Sequence, residues 1–130
     1  MKEIYVIWPS SGAASTRGVE SLQATIKELS AKGYVGNPNR VIGCEYMILS
    51  SGNDAPKEHY IAKIDSVTRN NRLDTKEKKY ACVDVMFSNP KPINSHFLDK
   101  LKWGSRNVKF IKLNDDLYEA INQSPRISIK

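Results

Sequence analysis

Residues 80–101 read YACVDVMFSNPKPINSHFLDKL and carry the strongest strand signal of the chain. Residues 80–87 consist mostly of types that favour strands, valine and aromatic residues among them. The Asn-Pro-Lys-Pro sequence at residues 89–92 predicts the end of this strand, because proline cannot donate a ladder hydrogen bond. Ser95 is a common N-cap residue and predicts a short helix that ends near residue 101.

Four further strands are predicted on either side of this stretch. Residues 4–8 form a β-branched and aromatic run that ends at a proline, and residues 108–113 form another apolar run near the other end. Residues 45–50 favour a buried strand, and residues 60–67 alternate between apolar and polar side chains as a half-buried strand does. A loop rich in turn-forming residues separates the last two, so we expect them to pair as a hairpin.

Helices are predicted between the strands. Apolar residues recur at helical spacing from Leu22 to Leu29, and Gly33 follows where a helix commonly ends, so we expect a helix over residues 20–32. Asn114 with two following aspartates predicts the start of a last short helix. Strands and helices do not alternate as in parallel-sheet proteins. The order therefore predicts an α+β fold, a mostly antiparallel β-barrel of about five strands with short flanking helices.

The size and composition fit one domain spanning residues 1–130. The chain has 130 residues and a mass of 14.7 kDa, and 40% of its residues are hydrophobic, which is enough for a core. The apolar run at the N-terminus is too short for a signal peptide or a membrane span, so we expect a cytoplasmic protein with no membrane partner. Cys44 and Cys82 lie far apart without a histidine cluster, so we expect buried thiols, no metal site and no cofactor.

The surplus of basic charge lies entirely in the second half of the chain. There are 20 lysine and arginine residues against 14 acidic residues, which gives a net charge of +6. Residues 1–60 hold six basic and six acidic side chains, whereas residues 61–130 hold fourteen and eight. Such a surplus attracts polyanions such as DNA and RNA.

The order and spacing of these segments resemble an EVE domain, a branch of the PUA-like superfamily. Residues 80–101 are similar to the family's strand, proline-containing linker and short helix, and residues 4–11, IYVIWPSS, take the place of its opening strand and serine turn. Residues 17–29 resemble its first helix, and residues 105–121 resemble its closing turn, strand and acidic helix. The resemblance implies a binding module that holds a flipped, often modified base in a pocket beside the barrel.

Such a pocket needs a planar surface for stacking, polar groups for the base edge and cations for the flanking phosphates. Trp8 and Trp103 are the predicted stacking surfaces, because each lies at a turn next to a predicted strand. Arg106 is the predicted phosphate or base-edge contact, since it lies close to Trp103 in the chain. The other predicted contacts are polar side chains near the same turns and at the end of one strand: Ser10, Ser11, Ser50, Ser51, Ser105 and Asn107. The expected partner is DNA or RNA that carries a modified base, such as methylated or hydroxymethylated cytosine or N6-methyladenine.

No catalytic residue is assigned from the sequence. His59 and His96 lack a nucleophile motif and the spacing of a metal site, so we expect both to be surface or half-buried polar residues. Two alternatives stay open. ASCH-like PUA domains include small hydrolases and nucleases, for which Lys63, Asp65 and Tyr60 would be the candidate cluster here. The second alternative is a protein-interaction accessory factor, whose basic half would bind an acidic partner.

Overall fold

Six strands form one sheet in the computed structural model, which describes residues 3–9, 19–52, 57–70, 81–103 and 108–123. The strands are β1 (Glu3–Ile7), β2 (Ser30–Val35), β3 (Tyr46–Ser50), β4 (His59–Asn70), β5 (Cys82–Ile93) and β6 (Val108–Lys112). The helices described beside them are α1 (Val19–Glu28), α2 (Pro38–Ile42), α3 (His96–Asp99) and α4 (Asp115–Gln123). The sheet curls into a half-barrel, which is consistent with the expected small α+β barrel.

The strand order is β2-β5-β4-β3-β1-β6, and the sheet is mixed. β1 pairs with β3 in parallel, whereas the other neighbouring strands are antiparallel. The predicted hairpin of β3 and β4 is confirmed, with Ser50 opposite His59 at the end nearest the connecting loop. The structure corrects the expected strand number from about five to six and adds one parallel pair.

β2 is the strand that the sequence prediction missed. The helix predicted over residues 20–32 ends at Glu28, where Leu29 adopts a positive φ of 56° and the chain turns into β2. Gly33, predicted as a helix end, instead lies at a bulge with a φ of 75°. Its N–H donates to Oδ1 of Asp84 at 2.8 Å. Pairing of β2 with β5 therefore outweighs the helical spacing of the apolar residues.

The strand predicted to end at residues 89–92 instead continues as β5 to Ile93. Its prolines are accommodated because β2 pairs with β5 only as far as Met86, which leaves β4 as the strand neighbour of the later residues. Asn89 has a φ of 53° and lies where the register between β4 and β5 shifts. Proline is tolerated at bulges and beside an unpaired edge, so the Asn-Pro-Lys-Pro sequence bends the strand without ending it.

The two faces of the sheet carry two separate clusters of buried side chains. Tyr5 of β1 belongs to the first cluster, which includes Leu22 of α1. Val6, the next residue, belongs to the second cluster, which includes Leu98 of α3 and Leu117 of α4. Successive side chains of a strand point to opposite faces, so this division follows directly from the sequence of β1. Both tryptophans lie with the second cluster.

The helix starts and the cysteines agree with the sequence prediction. Oγ of Ser95 accepts the N–H of Leu98, and Oδ1 of Asn114 accepts the N–H of Leu117, so both predicted N-caps are confirmed. The two cysteines are buried, free thiols, also as predicted. Within the described residues, no helix is both long enough and apolar enough to cross a membrane.

Candidate functional site

The candidate site lies at one end of the sheet, just beyond the carboxyl ends of β1 and β3. Because these two strands are parallel neighbours, Trp8 after β1 and Gly52 after β3 lie in contact. The antiparallel strands β4 and β6 begin at the same end, which brings His59 and Lys109 towards it. Trp103, which follows α3, contacts Trp8. We call the group of Trp8, Gly52, Trp103 and Lys109 the indole corner.

The two indoles contact each other edge to face. Their ring centroids are 5.7 Å apart and their planes are inclined by 62°, a favourable aromatic geometry. Trp103 is only 8% exposed, whereas Trp8 is half-buried. This contact leaves no room for a base between the two rings, which corrects the prediction that both are open stacking surfaces. Trp8 keeps accessible surface, and Trp103 supports it from inside.

Gly52 lies directly against the indole of Trp8. Its φ is +62°, and a Cβ at this position would lie 2.1 Å from Cδ2 of Trp8, far inside van der Waals contact. Both polar backbone groups of Gly52 are bonded. The N–H donates to Oγ of Ser50 at 2.9 Å, and the carbonyl accepts a hydrogen bond from Nζ of Lys57 at 2.6 Å. The backbone under Trp8 is thus held from two sides.

Ser50 and Ser51 are 0% and 1% exposed, although the sequence predicted that both contact a base. Ser50 accepts the N–H of Gly52, and Oγ of Ser51 accepts the N–H of Glu58 at 3.0 Å. The N–H of Ser51 in turn donates to the carbonyl of Glu58 at 2.9 Å. The structure therefore corrects the predicted role of the two serines. They satisfy backbone groups where the loop between β3 and β4 leaves and rejoins the sheet.

A polar chain connects this loop to α3 through His59. Nδ1 of His59 lies 3.0 Å from Oγ of Ser50, and its Nε2 lies 2.7 Å from Oδ1 of Asp99. The carboxylate oxygen of Asp99 accepts the hydrogen bond, so Nε2 carries the proton and is the donor. In the neutral ring Nδ1 then accepts the hydroxyl of Ser50, which itself accepts the N–H of Gly52. We call Asp99, His59, Ser50 and Gly52 the polar chain.

Burial favours the neutral form of His59. The ring is 3% exposed, which corrects the expectation of a surface or half-buried histidine, whereas His96 is exposed as expected. Loss of hydration lowers the pKa of His59, and the hydrogen bond and negative charge of Asp99 oppose this only in part. The positive charge of Lys57 lowers the pKa of His59 further. The polar chain therefore keeps one defined proton arrangement at neutral pH.

The residue types of the polar chain are those of a hydrolase triad, but the geometry differs. Ser50 is fully buried, and its Oγ is engaged by Gly52 and by Nδ1 of His59. A nucleophilic serine needs an exposed oxygen beside the substrate carbonyl and donors placed for the oxyanion. The arrangement of Ser50, His59 and Asp99 thus suits the positioning of the loop and not attack on a substrate.

Lysines lie close to the two indoles. Nζ of Lys109 lies 5.6 Å from the ring centroid of Trp103, near the outer limit of a cation–π contact. Lys57 is bonded to Gly52, and Lys102, next to Trp103 in the chain, is exposed. The remaining residues predicted for this site lie outside the described residues: Ser10, Ser11, Ser105, Arg106 and Asn107.

The residues of the alternative hydrolase cluster do not gather in one pocket. Tyr60 packs against the first core cluster, and its hydroxyl accepts a hydrogen bond from the side-chain amide of Gln23 at 3.4 Å. Lys63 and Asp65 are exposed, and Asp65 accepts a hydrogen bond from the hydroxyl of Ser88 at 3.1 Å. The aromatic ring and the two charged groups therefore occupy different environments along β4.

A polar cavity of about 300 Å³ lies beside the polar chain, between α3 and α4. It is lined by Asn94, Ser95, His96, Asp99, Asp116, Glu119 and Ala120. Three of these side chains are carboxylates, and carboxylates repel phosphate groups. The carboxylates of the cavity are not placed to hold a metal ion together, and neither is any other group of three His, Cys, Asp or Glu side chains among the described residues. The cavity thus has the wrong charge for a nucleic-acid backbone.

Comparisons with protein-family models, with curated proteins and with solved structures found no match to this chain. Function is therefore inferred from the geometry of the indole corner and from the residues that carry the sequence resemblance.

Proposed function

We propose that this domain binds nucleic acid at the indole corner, with one unpaired base stacked on Trp8 and the adjacent phosphates held by lysines. One observation carries the proposal. A half-buried indole lies on the backbone of Gly52, is supported edge-on by Trp103, and has Lys57 and Lys109 nearby. A fixed aromatic face beside cations is the arrangement that single-stranded nucleic-acid sites use.

The energetic contributions of the two parts differ. Stacking of one base on an aromatic side chain contributes about 1–3 kcal/mol and tolerates any base, because every base has a π face. Phosphate contacts by lysine add affinity that falls steeply with salt. Together they favour a base that is already out of the duplex, either in a single strand or flipped, because a paired base offers no free face to Trp8.

The resemblance to EVE domains supports a narrower form of the proposal, in which the fold is PUA-like and the base is modified. The six-stranded half-barrel with short helices is consistent with a small α+β barrel, the coarser architecture that this fold implies. A methyl or hydroxymethyl group on the base would add apolar or polar contacts at the rim of the corner. We propose methylated or hydroxymethylated cytosine and N6-methyladenine as the first bases to compare.

Intrinsic fluorescence offers a direct test, because the chain has two tryptophans and both lie in the indole corner. Short single-stranded oligonucleotides that are identical except for one modified or unmodified base would be titrated into the protein. We expect quenching of the indole emission on binding. The Trp8→Ala variant should bind about tenfold more weakly or worse, from the loss of one stacked base.

Tyr118→Ala is the matched control, since Tyr118 is an exposed aromatic residue on α4. It should bind as the unmodified chain does. Unchanged affinity in Trp8→Ala, measured by an independent method such as anisotropy of a labelled oligonucleotide, would refute stacking on Trp8. Binding of an acidic protein partner without any affinity for oligonucleotides would favour an interaction module instead.

A further inference from the structure

The polar chain links a solvent-accessible carboxylate to the surface beneath Trp8. Asp99, whose side chain is 45% exposed, accepts a hydrogen bond from Nε2–H of the buried His59. His59 is hydrogen-bonded to Ser50, and Ser50 accepts the N–H of Gly52. Gly52 touches the indole of Trp8. A change in the protonation of His59, at the centre of the polar chain, therefore alters the hydrogen bonding of the backbone that supports the proposed stacking surface.

Among the residues that the structure describes, two charged groups act on His59. Asp99 approaches from α3 and Lys57 lies at the entry to β4. The neighbouring strands place Ser50 and Ile93 opposite His59 in register, and neither carries a charge. Burial, the carboxylate of Asp99 and the charge of Lys57 thus act together on the pKa of His59 within the described part of the chain.

We propose that Asp99, His59 and Ser50 are positioning residues of the indole corner, and that a second proton on His59 rearranges Gly52 and alters the setting of Trp8. The effect on binding rests on the function proposed above, whereas the effect on Trp8 does not. A proton taken from solvent by Nδ1 turns an acceptor into a donor. Ser50 then loses the acceptor for its own hydroxyl hydrogen and must accept from His59 instead. Oγ of Ser50 then accepts from both Nδ1–H and the N–H of Gly52, which occupies both of its lone pairs, and its buried hydroxyl hydrogen needs a new acceptor.

The test follows the tryptophan emission of the free protein against pH, with no nucleic acid present. The unmodified chain should show a transition below pH 6.5, the ordinary pKa of histidine, because burial lowers the pKa of His59. Asp99→Asn keeps an acceptor for the Nε2 proton but removes the negative charge. Its transition should therefore move to lower pH. An unmoved transition would overturn the role of Asp99.

Ser50→Ala removes the hydroxyl group that connects His59 to Gly52 in the polar chain. In this variant the ring of His59, followed by NMR, should still titrate, while the tryptophan emission no longer follows that titration. Emission that still tracks His59 in Ser50→Ala would overturn the proposal. Asp99→Asn, changed at a partly exposed side chain, serves as the second variant if Ser50→Ala does not fold. His96→Gln on the same helix is the control and should keep the transition of the unmodified chain.

Oligonucleotide binding, measured above and below the same transition, separates this proposal from the proposed function. If the emission behaves as described but no oligonucleotide binds at any pH, the polar chain positions Trp8 and the nucleic-acid proposal fails. If oligonucleotides bind through Trp8 with an affinity and an emission that are both independent of His59, the positioning role fails and the binding role stands.

Discussion

Gly52 and Trp8 are in such close contact that a single added carbon at Gly52 would lie 2.1 Å from Cδ2 of the indole. The positive φ of Gly52 independently disfavours any other residue, since an L side chain in this region costs about 1–2 kcal/mol. Parallel pairing of β1 with β3 creates this contact, because it places the residues that follow the two strands side by side.

We expect Gly52→Ala to destabilise the protein by about 2 kcal/mol or more, from backbone strain and displacement of the ring. The tryptophan emission should change at the same time. Gly43→Ala is the matched control, because Gly43 has a φ of −70° and a Cβ there would meet its nearest atoms at 3.4 Å. Urea unfolding of both variants measures the difference. Equal stability of the two would show that the contact at Gly52 relaxes without cost.

The stability of the fold should rise with pH around 6.5, owing to His59. Burial lowers the pKa of His59 in the folded protein, so the folded state resists protonation while the unfolded state binds a proton near pH 6.5. The contribution of His59 is therefore complete above that pH. It is lost as the pH falls from 6.5 through the lower folded-state pKa.

Unfolding free energies measured at several pH values, for the unmodified chain and for His59→Gln, test this dependence. The variant should be less stable at neutral pH and should lack the slope that His59 contributes. The same slope in both proteins would assign the pH dependence to another group.

Asp84 should contribute more to stability than Asp65, another acidic residue of the same sheet. Oδ1 of Asp84 accepts two hydrogen bonds, from the N–H of Gly33 and from the side-chain amide of Asn70, both at 2.8 Å. Asp84→Ala leaves both donors without this acceptor, and we expect a loss of about 1–3 kcal/mol. Asp65→Ala should remain within about 0.5 kcal/mol, because Asp65 is exposed. Thermal or urea unfolding compares them, and the reverse order would contradict the role assigned to Asp84.

Lys109 should contribute to oligonucleotide binding, and Lys112 should not. Both lie on β6, but Lys109 is 5.6 Å from the ring centroid of Trp103, whereas Lys112 is opposite Glu3 in the pairing with β1. Lys109→Gln should weaken binding and reduce the slope of log affinity against log salt by about one. Lys112→Gln should keep the slope of the unmodified chain. Identical slopes for all three proteins would exclude a phosphate contact at Lys109.

The sequence predicted those strands whose hydrophobic pattern can be recognised within a few neighbouring residues. β3 and β4 have long apolar or alternating runs, and burial of such runs requires no knowledge of the partner strand. β2, with the sequence SAKGYV, has few strand-favouring residues and exists because β5 pairs with it from far along the chain. The sequence prediction did not include α2, although this helix begins at Pro38 after an Asn37 cap, which is a helix-start signal.

In the candidate site, too, the sequence predicted individual residues but not the contacts that tertiary packing creates between them. Trp8 and Trp103 were found because both lie at turns beside predicted strands, but their mutual contact depends on how α3 packs against the sheet. The sequence prediction did not find the polar chain, because His59 and Asp99 are 40 residues apart in the sequence. One signal was present: the predicted hairpin brings Ser50 close to His59, which are opposite each other in the observed register.

The half-barrel has two outer strands, β2 and β6, and exposed strand edges can pair with other chains and start aggregation. Each of these strands carries features that oppose such pairing. β2 has a bulge at Gly33 and an exposed lysine, Lys32, and β6 has two lysines within five residues. We therefore expect neutralisation of Lys32 and Lys112 together to increase aggregation at high concentration, which light scattering would measure against the unmodified chain.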